Sequence, residues 1–147
     1  MGVLSRNKNQ LTYIYSEKSN WSLKMLAILQ TSNKKLLALN IDKEDLGDTI
    51  WVEVAALLKK PIDALFRMED LQTEGLTTNV SYDTHDWIKI INKKPELLHN
   101  PIIVSDTDIK QVLDREDLFC FLESAGADFN KDPEAIKKGN HNGSSSE

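Results

Sequence analysis

A single cysteine, Cys120, stands in the chain of 147 residues. This rules out an intrachain disulfide and any Cys-x-x-Cys redox pair, and it excludes a two-thiol mechanism carried by this chain alone. Such scarcity fits a reducing, cytoplasmic compartment. Long apolar runs are missing too: nothing approaches the roughly 20 residues of a membrane span. The opening residues, MGVLSRNKNQ, hold no apolar segment of the kind a secretory signal needs. Their Met-Gly start carries Arg6 where N-myristoylation favours Ser or Thr. Positive charge is in short supply. The net charge of −5 argues against a nucleic-acid or anionic-membrane binder, which needs a basic surface. What is present is ordinary for a folded chain: 40% hydrophobic and 28% charged residues, in a length that suits one domain with a sizeable core.

LTYIYS (Leu11–Ser16) is rich in strand formers and predicts a first strand. Ser19 then stands at an N-cap position, and Trp21, Met25, Ile28 and Leu29 recur on one helical face. KLLALNI (Lys35–Ile41) predicts a second, buried strand, which completes a parallel, right-handed βαβ unit. Asp42 is expected to cap the next helix, with Asp45 in its first turn and Leu46, Ile50, Val54, Leu57 and Leu58 along its apolar stripe. Pro61 ends that helix and opens a short one, PIDALFRM. EDLQTEGLTTNV, from Glu69 to Val80, turns polar and predicts a loop. Asp83 is placed to cap THDWIKIINKK, with Trp87, Ile90 and Ile91 facing inward.

NPIIVSDTDIKQVL carries the clearest hairpin signal, with Ile102–Val104 and Ile109–Leu113 around a polar turn at Asp106–Asp108. Asp114 caps a last helix whose Leu118, Phe121 and Leu122 share a face and which Gly126 stops. The final NKDPEAIKKGNHNGSSSE is polar and predicts a disordered tail. The expected domain therefore spans residues 11–126, between an N-terminal tail (1–10) and a C-terminal tail (127–147). There is no internal repeat. The expected class is α/β: a βαβ unit, a helical insertion, a β-hairpin and a C-terminal helix, in three layers around a small mixed sheet. That order describes a thioredoxin-like fold.

Three segments carry a resemblance to the arsenate reductase and Spx family, over about residues 11–126. LTYIYSEKSNWSLKML is similar to the family's Asn-Pro-x-Cys-x-x-Ser loop, IDALFRMED to a short helix that brings in an arginine, and PELLHNPIIVSD to Pro-x-Leu-Leu-x-Arg-Pro-Ile-Val-Val. The resemblance implies a cis peptide bond at Pro101, beside the active-site loop. It also marks what this chain has changed. The family's Asn-Pro stands as Ser16-Glu17 and its nucleophilic cysteine as Ser19, while the serine three residues on is kept as Ser22. The arginine of the short helix is kept as Arg67; the one before the proline is Asn100, and a third falls on Asp114, next to Arg115.

The chemistry follows from those exchanges. A cysteine at a helix N-terminus beside cations is a thiolate at neutral pH, whereas a serine there needs an adjacent base to become a nucleophile. Serine oxygen cannot exchange with disulfides. The chain is therefore expected to be a non-catalytic relative with a protein-binding or regulatory role, the Spx branch of the family acting by binding RNA polymerase. Two alternatives stay open: a glutathione-dependent arsenate or thiol reductase working through external thiols or Cys120, and a module that binds a small oxyanion or glutathione without chemistry.

The candidate ligand-binding residues are Ser19, Asn20, Ser22, Arg67, Asn100 and Pro101. Each has a plainer reading. Ser19 and Ser22 suit a helix cap as well as an anion site, and Arg67 suits a surface arginine whose stem covers apolar area. Trp21 either fills the pocket of the altered loop or forms an adhesive patch. Cys120, between phenylalanines, is expected to be buried and structural. His85, between Asp83 and Asp86, tempts a metal reading, but capping carboxylates explain both aspartates. No cofactor, metal, direct nucleic-acid contact or membrane contact is expected.

Overall fold

The computed structural model describes residues 10–76 and 82–129. Four strands form one mixed sheet in the order β2-β1-β3-β4. β1 (Gln10–Tyr15) lies parallel to β2 (Lys35–Asn40) and antiparallel to β3 (Ile102–Val104), which pairs antiparallel with β4 (Ile109–Gln111). The registers place Tyr15 opposite Asn40, Tyr13 opposite Ile103, and Ile103 opposite Lys110.

Side-chain alternation along these strands builds two cores. Leu11, Tyr13, Tyr15 and Ile103 pack with Met25, Ile28 and Leu29 of α1 (Asn20–Leu29) and with Leu118, Phe121 and Leu122 of α5 (Arg115–Ser124). On the other face, Ile14, Ile102 and Val104 pack with Trp51 and Val54 of α2 (Asp48–Leu58), Leu71 of α3 (Met68–Thr73), and Trp87, Ile88 and Ile91 of α4 (Thr84–Lys93). The central strands are thus covered on both faces, in an α/β structure of three layers. Two 3-10 turns, Ile62–Leu65 and Pro95–Leu97, complete the second face. Among the described residues no helix is long and apolar enough to cross a membrane.

The helix starts follow their caps. Ser19, Asp83 and Asp114 each accept from a backbone N–H three residues on, and the two aspartates form reciprocal capping boxes with Asp86 and Asp117. Gly126, at φ +76°, ends α5, and Ala127 N–H donates back to the Leu122 carbonyl. Phe129 stacks on Phe119, and Asp128 exchanges hydrogen bonds with Asn33, so the chain as far as 129 lies against the domain. The expected tail from 130 onward lies outside the described residues.

Several expectations are corrected. β2 is not buried: among the described residues it is an edge strand with a partner on one side only, and Lys35, Leu37 and Ala38 are exposed. Asp42 caps no helix, because α2 starts at Asp48 with Gly47 as N-cap. A turn intervenes, in which the Asn40 carbonyl accepts from Lys43 and Glu44, and Asp42 is drawn back onto the first loop. The expected loop after Glu69 begins with α3. That helix has Glu69 and Asp70 at its positive end, Leu71 anchored in the core, and Gly75 at φ +79° closing it; residues 77–81 are outside the described set. Cys120 is exposed, since it points away from the Leu118–Leu122 stripe. No peptide bond among the described residues is cis, so the bond preceding Pro101 is trans. That is the intrinsically favoured isomer, and it is compatible with the hydrogen bonds the Asn100 and Pro101 carbonyls accept from Gln111 and Val112.

Candidate functional site

Of the candidate residues, Ser19 and Ser22 meet one short segment, His99–Pro101, which passes the N-terminus of α1 and contains Asn100 and Pro101. β1 ends at Tyr15, and the chain turns through Ser16, Glu17 and Lys18 before Ser19 caps the helix. Ser16, Ser19 and Ser22 are all buried. Ser19 Oγ accepts from Ser22 N–H at 3.1 Å and donates to the His99 carbonyl at 2.8 Å. Ser22 Oγ donates to the same carbonyl at 3.1 Å. Both hydroxyl protons are therefore aimed at a backbone acceptor, and neither serine faces a base that could take its proton.

The backbone N–H groups of Glu17, Lys18 and Ser19 are engaged within the chain as well. Ser19 N–H donates to the Ser16 carbonyl, and Lys18 N–H to Ser16 Oγ. Asp42 Oδ2 accepts from Ser16 Oγ at 2.8 Å and from Glu17 N–H at 2.7 Å. Only 5% of the Asp42 side chain is exposed; its Oδ1 makes no hydrogen bond but has Lys18 Nζ at 3.6 Å. A carboxylate of the chain itself thus occupies two donors of the loop, Ser16 Oγ and Glu17 N–H, and its charge opposes an exogenous anion nearby.

Arg67 does reach this region. Its positive charge, after burial, lowers the His99 imidazole below its ordinary value. Its guanidinium is nevertheless engaged elsewhere. Nε and one terminal nitrogen donate to the two oxygens of Asp70 at 2.8 and 3.0 Å, with Glu69 at 3.5 Å. This fork-on-fork pairing raises the Arg67 pKa and offsets its charge. Asn20 is exposed at the first position of α1. Asn100 contributes its backbone carbonyl, which accepts from Gln111 Nε2, and Pro101 is buried. Asp114 is consumed as a cap, with Arg115 beside it in the first turn of α5.

Trp21 takes the packing role. It lies half-buried against the α1/α5 core, and its indole N–H donates to the Val112 carbonyl at 3.1 Å. Of three residues that hold the site together, two carry no local sequence signal for doing so. His99 supplies the shared carbonyl, Asp42 the internal carboxylate, and buried Gln111 bridges the carbonyls of Leu65 and Asn100. Of these only Gln111 could have been suspected, as a polar residue at an inward position of a hairpin strand.

The remaining candidates lie elsewhere. Cys120 Sγ donates to Glu116 Oε2 at 3.3 Å, and that hydrogen bond, with some burial and the charges of Glu116, Glu123 and Asp117, raises the thiol pKa. The thiol opens onto a shallow cavity of about 430 Å³ lined by Lys110, Asp117 and Phe121 among others. His85 pairs with Asp48 at 3.1 Å rather than with Asp83 or Asp86, and among the described residues no His, Cys, Asp and Glu group could hold a metal ion. The arrangement thus joins α1 to the Asp42 turn through Ser16 and Glu17 and to the His99–Pro101 segment through Ser19 and Ser22. No known family model and no curated protein sequence matches the chain.

Proposed function

We propose that this chain is a non-catalytic, cytoplasmic protein of the arsenate reductase and Spx kind, with a thioredoxin-like fold, that works by binding a protein partner. The observation that carries this reading is the shared acceptor: the hydroxyls of Ser19 and Ser22 both donate to the His99 carbonyl. A loop that bound an oxyanion or attacked a substrate would keep those donors, or a nucleophile with its base, directed at the ligand. Here they are used to fasten α1 to the segment before β3. The pairing of Arg67 with Asp70 and the seat of Asp42 on the loop amides support the same reading.

The alternatives draw less support. A reductase working through Cys120 would need a thiolate, whereas the surroundings of this thiol favour its protonated form. An anion or glutathione module would have to bind beside the Asp42 carboxylate, which already holds Ser16 Oγ and Glu17 N–H and repels a second negative charge. The test is a titration of isotopically labelled protein with sulfate, phosphate and glutathione, followed by NMR. The proposal expects no saturable shift at the Ser19, Ser22 or Glu17 amides or at the Arg67 side chain. Saturable shifts there that disappear in Ser19→Ala would establish the ligand-binding reading instead.

A further inference from the structure

The two edges of the sheet are managed differently. β4 is three residues long, and its exposed Lys110 pairs with Asp117 of α5; short strands and edge charges are the usual protection against pairing with another chain. β2 has neither device. It runs six residues as KLLALN, with no proline and a charge only at its first position, and among the described residues nothing pairs with its outer side.

The backbone phase of β2 can be read from its inner side. Ile41 N–H donates to the Tyr15 carbonyl. By parallel-ladder alternation, the peptide groups of Leu37 and Leu39 therefore face β1, and those of Leu36 and Ala38 face outward. The Asn40 carbonyl is already taken by Lys43 and Glu44. What remains open among the described residues is a self-complementary pair of positions, Leu36 and Ala38, with Leu37 between them at 40% exposure.

We propose that β2 is the interface of a symmetric homodimer in which two copies of this edge pair antiparallel about a two-fold axis at Leu37. In that register Leu36 faces Ala38 of the second copy, and the two Leu37 side chains meet across the axis as a non-hydrogen-bonded pair. About four backbone hydrogen bonds form between the copies. The arrangement extends the four-stranded sheet across the axis and closes on itself, as an isologous contact must. Charge favours the antiparallel sense. Lys34 and Lys35 stand at the start of the strand, while the exposed Lys43, Glu44 and Asp45 follow its end and together leave that end net acidic. Antiparallel pairing sets the basic end of each copy beside the acidic end of the other. Lys35 falls opposite Leu39, so no like charges are directly opposed.

The test uses the full chain in sedimentation equilibrium over a concentration series, with amide hydrogen exchange read at Leu36 and Ala38. The wild type is expected to be dimeric, and both amides should gain protection as the dimer forms. Leu37→Lys places like charges on the axis while changing only a solvent-facing side chain of the monomer. Ala38→Pro removes an outward N–H, a change an edge strand tolerates. Each variant should raise the dimer dissociation constant by more than about tenfold with an unchanged circular dichroism spectrum. A wild type that stays monomeric, or a dimer that persists in Leu37→Lys with Leu36 and Ala38 exchanging freely, overturns the proposal.

Discussion

Alanine substitution of Ser19 and Ser22, singly and together, separates a structural role for these hydroxyls from a functional one. Ser19→Ala removes the cap acceptor of Ser22 N–H, worth about 1 kcal/mol. It also removes one donor to the His99 carbonyl, worth about 1 kcal/mol net, for a loss of about 2 kcal/mol together. Ser22→Ala removes only the second donor, about 1 kcal/mol, and leaves the 2.6 Å bond from the Tyr13 hydroxyl to the Ser22 carbonyl in place. In either single variant the His99 carbonyl keeps one of its two serine donors. In the double variant it loses both, so the loss should exceed the sum of the singles by about 1 kcal/mol. Urea unfolding monitored by tryptophan fluorescence, at constant m-value, measures all three. The reasoning is refuted if Ser19→Ala is neutral or more stable than wild type, the pattern of a residue kept for activity at the expense of folding. Strict additivity would also refute it, since it would deny the shared acceptor.

Further outcomes follow from the same contacts. Burial and then the charge of Arg67 lower the His99 pKa, so the unfolded chain takes up that proton more readily than the folded one. Its contribution to stability is complete above about pH 6.5 and is lost as the pH falls toward the folded value; His99→Gln should flatten that step in a pH series of unfolding curves, and an unchanged profile would contradict the assignment. Asp42→Ala leaves Ser16 Oγ and Glu17 N–H without their charged acceptor and should cost about 2 kcal/mol; a loss below about 0.5 kcal/mol, the level of an ordinary surface change, would show that the carboxylate does not hold the loop. Cys120 should react with iodoacetamide more slowly at neutral pH than a free thiol, and Glu116→Gln should move its pH–rate midpoint down, because the hydrogen bond to Glu116 is the first cause of its raised pKa; identical midpoints would exclude that cause.

What the sequence made legible was local. Ser19, Asp83 and Asp114 cap the helices they precede, because a side-chain acceptor three residues before a free N–H needs nothing from the rest of the fold. The hairpin was equally plain from two short apolar runs and a polar turn, although its second strand ends at Gln111 and not at Leu113. The exposure of Cys120 was within reach as well. It lies two residues from both Leu118 and Leu122, about 200° round the helix from that stripe, and helical phase outweighs the general tendency of cysteine to be buried.

The remaining features depended on partners far along the chain. LLAL reads equally as a strand buried between neighbours or as an edge, and only the strand order assigns β2 to the edge. Asp42 suits a cap locally, but its Oδ2 accepts from Ser16 and Glu17, about one βαβ unit away. α3 was hidden because it has a single buried anchor, Leu71, among polar residues. The candidate site suffered most. Ser19 and Ser22 could be named from the strand–loop–helix pattern, but the carbonyl that receives both hydroxyls belongs to His99, and no local pattern announces a backbone acceptor from across the fold.

The central proposal is that the chain is non-catalytic: its altered loop serves to fasten the fold, and Cys120, on α5, does no redox work. Its most direct test is a coupled reductase assay with NADPH, glutathione, glutaredoxin and arsenate, run on the wild type with Cys120→Ala as control. The account predicts no turnover above background in either protein. Turnover in the wild type that vanishes in Cys120→Ala would contradict it and assign the chemistry to the one thiol in the chain.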